Sequence, residues 1–371
     1  MASPESDAAA TPVAPHPPVA PTGPADRSRA GVGYARRVWR RFRRNRRGLI
    51  GLGVIVLLCV LAFLSPIIAG RYPIVCRHEG RLHAPAVVNV LHQIPFVARL
   101  VQQSKPFRFA GFDAKAALPE DAFAIWPLIP YGPLETTQQS QQSPSREHWL
   151  GTDEVGRDIA SRMVHGAVVS VKVGVVSMGI AALLGIVIGG PAGYFGGWTD
   201  AVVSRLIEIV MCFPVFFLIL SVMVWLEPDI LNVMVVIGLT RWTTVARYTR
   251  GEFMRLKSCD FVSAARAAGA GPVRIMFRHL LPNSLAPVLV TVSFGMAQAI
   301  LIEAGLSWLG FGVQWPEPSW GNILRSGFDQ IRVAPYMVYP PCVAIFVAVL
   351  SYNLVGDALR DAVDPRIHDQ A

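Results

Sequence analysis

The chain has 371 residues, of which 52% are hydrophobic and only 16% charged, and its formal net charge is +9. Soluble domains carry about a quarter charged residues, so the composition excludes an ordinary soluble globular protein and points to one that crosses a membrane. The positive charge is clustered. Arg36, Arg37, Arg40, Arg41, Arg43, Arg44, Arg46 and Arg47 abut the first apolar run, which reads as positive-inside topology rather than as a nucleic-acid patch.

Residues 1 to about 30 are rich in Ala, Pro and Ser. Such a tract buries too little apolar surface to offset its ordering entropy, and disorder is expected. It does not read as a signal peptide, because the apolar run comes late, is long, and lacks a small-residue cleavage site. Residues 1–47 are therefore read as a basic, disordered cytoplasmic N-terminus. The first span is assigned to 48–70, with its apolar run at 49–68; Gly48, Gly51 and Gly53 permit close helix packing there. Residues 71–165 contain no apolar run of spanning length and are read as an extracytoplasmic lobe, with 138–145 as a linker.

A membrane core is assigned to 166–357. Its spans are expected at 166–190, 201–225, 230–246, 284–304 and 336–355, each near the roughly 20 residues needed to cross a bilayer. The first of these carries Gly185 and Gly189, a small-xxx-small pair suited to close contact. A turn is expected at 191–197, and Pro214 predicts a kink in the next span. Basic residues Arg247, Arg250, Arg255 and Lys257 follow the fourth span and mark cytoplasm. An outer loop at 307–335 carries Trp308, Trp315 and Trp320. Residues 358–371 form a short cytoplasmic tail. The expectation is an all-α membrane protein of six transmembrane helices, with both termini cytoplasmic. The runs are too long for barrel strands.

No enzyme constellation is present: the sequence has no phosphate-binding Gly-rich loop with Lys-Ser/Thr, no H-E-x-x-H and no G-x-S-x-G. No cofactor is expected. His78, His83, His92 and His148 fall in the lobe without ligand spacing, so no metal site is expected. Of Cys59, Cys76, Cys212, Cys259 and Cys342, only Cys76 is placed outside, without a disulfide partner and open to an impermeant thiol reagent. Among the charges in or near apolar runs, Lys172, Arg205, Glu208, Arg241 and Glu303, Arg205 and Glu208 are three apart and expected to pair on one helix face. Glu303 either lines a translocation path or reaches the interface, and the sequence leaves both open.

The stretch 260–283 is polar, Ala-rich and set between apolar segments. Ala264, Ala265, Ala267 and Ala268 favour a short helix with small side chains. Asp260 is placed to cap its start. Gly269 suits a left-handed stop, and Pro272 prevents continuation. The result is a small helical knob between two spans. Its spacing, Ala264-Ala265, Gly269, then Leu281-Pro282, resembles the coupling loop of ABC-importer permeases, with Ser263 where that family usually has Glu.

Three more stretches are similar to the dipeptide/oligopeptide/nickel ABC-importer permeases, C-type subunit. They are His148-Trp-Leu-Gly-Thr-Asp-Glu-Val-Gly-Arg-Asp158, Leu306-Ser-Trp-Leu-Gly-Phe-Gly-Val-Gln-Trp-Pro-Glu-Pro-Ser-Trp-Gly321, and Asn353-Leu-Val-Gly-Asp-Ala-Leu-Arg-Asp-Ala-Val-Asp-Pro-Arg366. Stretches at 72–80 and 125–132 look like the subgroup that takes up oligopeptides and microcin C-type peptide antibiotics. The resemblance implies a type-I ABC importer permease core in a bacterial inner membrane. It implies a second permease subunit, two cytoplasmic ATPases and an extracytoplasmic solute-binding protein as partners. It also implies that Asp260, Ser263, Ala264, Ala265, Gly269, Leu281 and Pro282, within a loop at 250–283, form the ATPase contact. Trp315, Ser319 and Trp320 are candidate contacts for the binding protein, or else interface anchors. A nickel or other small-solute importer, and an ion-driven secondary transporter, are the competing readings.

Overall fold

A computed structural model describes residues 36–78, 81–92, 123–227 and 229–363. The proline-rich tract, the middle of the lobe and the last tail residues lie outside the described residues.

Helix α1 (Arg46–Phe63) follows a helical stretch at 36–42 and is capped by the Asn45 side chain, which accepts from the Gly48 amide. The short helix α2 (Ser65–Ile68) ends the first apolar run. The lobe contributes strands β1 (Val75–His78), β2 (Arg81–His83) and β3 (Ala124–Ile125), with helix α3 (Pro85–His92) between β2 and β3. The strands form one antiparallel sheet of order β2-β1-β3, with Cys76 opposite both His83 and Ala124. The spanning elements are helical as expected, and the sheet is an addition that the short runs of this region did not signal.

Helix α4 (Ile159–Phe195) is much longer than its apolar run, and it passes through Pro191 rather than turning there. One proline costs a helix one hydrogen bond and some crowding. Here Gly189, Gly190 and Gly193 surround it and admit the neighbouring helix closely, so the turn is deferred to Gly196 and Gly197. Helices α5 (Gly197–Met211) and α6 (Val215–Met223) are bent by 77° at the break that Pro214 makes. Helix α7 (Ile230–Leu256) starts at Asp229, whose side chain accepts from the Leu231 amide, and runs unbroken through the basic segment. Next come α8 (Asp260–Ala267), α9 (Pro272–Leu309), α10 (Trp320–Asp329) and α11 (Tyr339–Val363).

Among the described residues, four helices are long and apolar enough to cross a membrane: α1, α4, α9 and α11 with its approach from Pro335. The bent α5–α6 pair makes a fifth if it is one span. The fourth expected span, α7, has the length but carries Arg241, Arg247, Arg250, Glu252 and Arg255, and it does not meet the same standard of apolarity.

The core shows how α7 is accommodated. It runs parallel to α4: a Cβ on Gly185 would meet Val245 Cβ at 2.6 Å, one on Gly238 would meet Ile180 at 2.8 Å, and one on Gly190 would meet Phe253 at 3.0 Å. The small-xxx-small pair therefore serves a backbone-close contact, as expected. Around this pair, Val169 and Val173 of α4, Ile219 and Met223 of α6, Val233 and Ile237 of α7 and Ile302 and Leu306 of α9 form one buried cluster. Helix α1 lies antiparallel to α11; a Cβ on Gly51 would meet the Ser351 carbonyl at 2.7 Å.

Candidate coupling site

Helix α8 stands out from the end of this bundle. Val262 is its one buried residue, at 0% exposure. It sits in a cluster with Phe253 and Leu256 from the end of α7 and Ile275, Met276 and Leu280 from the start of α9. Ser263 and Ala264 are exposed and Ala265 is half-buried, so a face of small side chains points outward. One apolar anchor with a small-residue outer face is the shape of a helix held on its own bundle and open to another protein's groove.

The stop is built as the sequence predicts. Gly269 has φ +81°, its amide donates to the Arg266 carbonyl at 3.0 Å, and the Ala270 amide reaches back to the Ala265 carbonyl at 3.0 Å. These are the two bonds of a Schellman stop, whose left-handed residue is usually glycine. The start departs from expectation. Cys259 is the N-cap, no side chain caps the helix, and Asp260 is the first residue inside it. There its charge complements the positive end of the helix dipole without a cap hydrogen bond.

Leu281 and Pro282 are not on the knob. Leu281 packs against the cluster that anchors Val262, and Pro282 is exposed. Just before them, residues Ile275–Leu280 widen into a π-helical segment, in which the Leu281 amide bonds the Met276 carbonyl. Pro282 has no amide to give and its ring crowds the preceding turn, and π-type widening is one way a helix absorbs such a fault. The seven sequence-predicted residues thus divide into five on the knob and two at its root. A two-toothed ion pair between Arg250 and Asp200 ties α7 to the start of α5 beside this root.

Next to the root a cavity of about 910 Å³ runs into the bundle. Its walls come from α4, α7, α8, α9, α11 and the 36–42 stretch, from Leu256 and the knob's Phe261 to Met178 and Gly295 within the bundle. Five arginines line it (Arg37, Arg41, Arg241, Arg255 and Arg360) against one carboxylate, Glu252.

At the opposite end, the His148–Asp158 motif is a buried polar lock. Asp153 accepts from the Val155 and Arg157 amides at 3.1 and 2.9 Å and from Arg157 Nε at 2.6 Å, with Arg162 Nε at 3.8 Å. Asp158 caps α4 through the Ser161 amide at 2.7 Å and pairs with His148 Nδ1 at 2.8 Å. Burial, followed by the charge of Asp153, raises the pKa of the neighbouring Glu154. The 138–145 stretch is part of this assembly, not a free linker: Gln142 N–H bonds Thr152 Oγ1 at 2.9 Å and Gln141 N–H bonds the Asp153 carbonyl at 2.9 Å.

Several sequence expectations are corrected here. Ser319 is fully buried: it caps α10 in a reciprocal box with Asn322. Trp320 is 2% exposed and donates from Nε1 to the Met163 carbonyl at 3.0 Å. Neither can touch a docked protein or anchor an interface. Trp315 is 68% exposed and lies with its ring 5.3 Å from the Arg157 guanidinium. Glu303 is fully buried and accepts from Ser307 Oγ at 2.7 Å, so in this structure it lines neither the cavity nor an interface. Cys76 is 2% exposed within the sheet, and burial raises its thiol pKa; it is not a ready labelling site. Arg205 and Glu208 form the expected pair, at 2.6 Å. The anchor Val262 carries no motif in the sequence; the Asp153 lock lies within the His148–Asp158 motif, but its pairing is visible only in the contacts.

Residues 182–369 match the family described as binding-protein-dependent transport system inner membrane component, and residues 33–79 match the N-terminal TM domain of oligopeptide transport permease C. The chain belongs to this family of importer permeases. It is 39% identical over 243 residues to a dipeptide transport system permease protein DppC from Alkalihalophilus pseudofirmus, a match covering 65% of this chain and 80% of that one. It is 36% identical to a glutathione transport system permease protein GsiD from Pectobacterium atrosepticum, covering 66% and 83%. It is 35% identical to an oligopeptide transport system permease protein OppC from Bacillus subtilis, covering 62% and 75%. Among solved structures, a chain of the MetNI methionine ABC transporter in inward-facing form is 20% identical, with a TM-score of 0.42, covering 55% of this chain and 96% of that one.

Proposed function

We propose that the chain is the C-type permease of an ATP-driven peptide importer, forming half of its pathway beside a second permease. Two ATPases then bind at the knob end and a solute-binding protein at the lobe end. The observation that carries the reading is α8: a singly anchored helix with a small-residue outer face, on a chain whose family transports with a binding protein. The relatives named for dipeptide, oligopeptide and glutathione transport favour peptides over nickel. Under this reading both termini and the knob are cytoplasmic, and the arginines at 36–47 agree with that side. Asp260, Ser263, Ala264, Ala265 and Gly269 form the contact, with Leu281 and Pro282 setting its root. Exposed Trp315 remains the candidate contact for the binding protein.

Ser263→Cys in the assembled transporter tests the assignment. A short bis-maleimide should join it to an ATPase subunit carrying a groove cysteine, with a yield that changes on ATP binding. An intact complex in which no groove position is captured would remove α8 from the interface.

A further inference from the structure

The arginines of the cavity are not equivalent. Arg255 is paired with Glu252, at 2.7 Å. Arg241 forms no ion pair among the described residues, and its Nε is buried without a hydrogen-bond partner. It stands eleven residues into α7, about 16 Å along the helix from Ile230. In the span expected at 230–246 it lies inside the apolar stretch, five residues or about 8 Å from the inner end. A guanidinium at such depth is costly unless it faces water or protein groups that receive it, and it is then by default functional. Arg241 faces the cavity, beside the neutral polar side chains Thr244, Thr291 and Gln298. Glu252, the one carboxylate of the lining, lies eleven residues further along α7 and is already held by Arg255.

We infer that Arg241 receives the C-terminal carboxylate of the peptide on its way through the cavity. The inference rests on the reading of the chain as a peptide permease and adds to it a specificity-determining residue. A guanidinium fork matches a carboxylate with two parallel hydrogen bonds. Among the described residues of the lining no carboxylate stands near Arg241, and neutral polar groups are available for the peptide's amides. A resident lipid is the weaker occupant, since a headgroup phosphate would have to leave the membrane surface and enter a cavity bounded by helical elements. The cluster at Arg37 and Arg41 lines the same cavity from the stretch that precedes α1, and its field draws anions toward Arg241.

The test uses the whole transporter in proteoliposomes, with labelled tri-alanine and its C-terminal amide as probes. Uptake is normalised to the binding protein's own affinity for each. Wild type should favour the free acid. Arg241→Gln should lower uptake of the acid about tenfold, the ordinary worth of a charge-assisted hydrogen bond, and leave the amide unchanged. Arg241→Lys keeps the charge but not the fork, and should retain only part of the preference. Equal loss for both probes would mean a structural role and overturn the proposal, as would an unchanged ratio. An anionic phospholipid that co-purifies with wild type and is lost in Arg241→Gln, with the acid-to-amide ratio unmoved, would overturn it in favour of a headgroup. If wild type carries neither probe, the peptide reading falls on its own account. The Arg241 assignment is then judged by thermal stabilisation of the purified complex by acetate over acetamide. Loss of that difference in Arg241→Gln supports it, and equal stabilisation overturns it.

Discussion

Gly269→Val isolates the geometry of the knob from its chemistry. A Cβ at Gly269 would meet nothing within 4 Å, so the substitution causes no clash. The whole effect comes from φ +81°. Holding an L-residue in the left-handed region costs roughly 1–2 kcal/mol, and more for a β-branched one. Leaving that region breaks the Gly269–Arg266 and Ala270–Ala265 bonds, at about 1 kcal/mol each. The two routes cost about the same, so neither rescues the turn, and its population falls by roughly 5- to 30-fold. The membrane bundle should not notice, because Val262 stays anchored by α7 and α9. ATP hydrolysis stimulated by the loaded binding protein, measured in proteoliposomes, should therefore fall several-fold while the subunits still co-elute in detergent. Gly269→Asn should restore most of the activity, since Asn tolerates positive φ. Wild-type stimulation in Gly269→Val would refute the claim that this stop orients the coupling helix.

Ala265→Asp places a carboxylate on the half-buried face of α8; an unpaired charge in a closed contact is costly, so uptake and stimulated hydrolysis should be lost with the complex intact, read by gel filtration and ATPase assay. Asp153→Asn leaves Arg157, 1% exposed, without its charge partner, and breaking a buried pair costs about 3–5 kcal/mol; the lobe end should unfold at lower temperature and become sensitive to protease, and an unchanged melting temperature would argue against the lock. In a chain whose five cysteines are replaced by alanine, Leu82→Cys (71% exposed in the lobe) should react with an impermeant maleimide in spheroplasts, and Arg266→Cys on the knob should not; the opposite pattern would invert the topology.

What the sequence could and could not reveal follows from the range of each interaction. The knob was legible because its signals are local. Five alanines, two glycines and a proline within nine residues specify a short helix and its stop, and the structure puts the left-handed residue at Gly269 as expected. The Gly185–Gly189 pair was legible for the same reason, although its partners, the Val245 side chain and the Ala246 backbone, were not. Span ends were misread wherever a helix outran its apolar run: α4 continues through Pro191, and α7 carries its arginines on a helix packed on α4. The tryptophan-rich loop failed for a different reason. A tryptophan beside a span reads the same in sequence whether it anchors the bilayer or fills a core. Only the contact of Trp320 with Gly166, where a Cβ would meet the indole at 2.8 Å, and its bond to Met163 decide for the core. Ser319 followed it inward because the cap of α10 lies beneath the same loop. Arg241 was visible as a charge in an apolar run, but its significance depends on its neighbours. An arginine within a span beside an acidic group would be a structural pair; this one lines a cavity whose lone carboxylate is already held by Arg255, which is why we propose it as a binding residue.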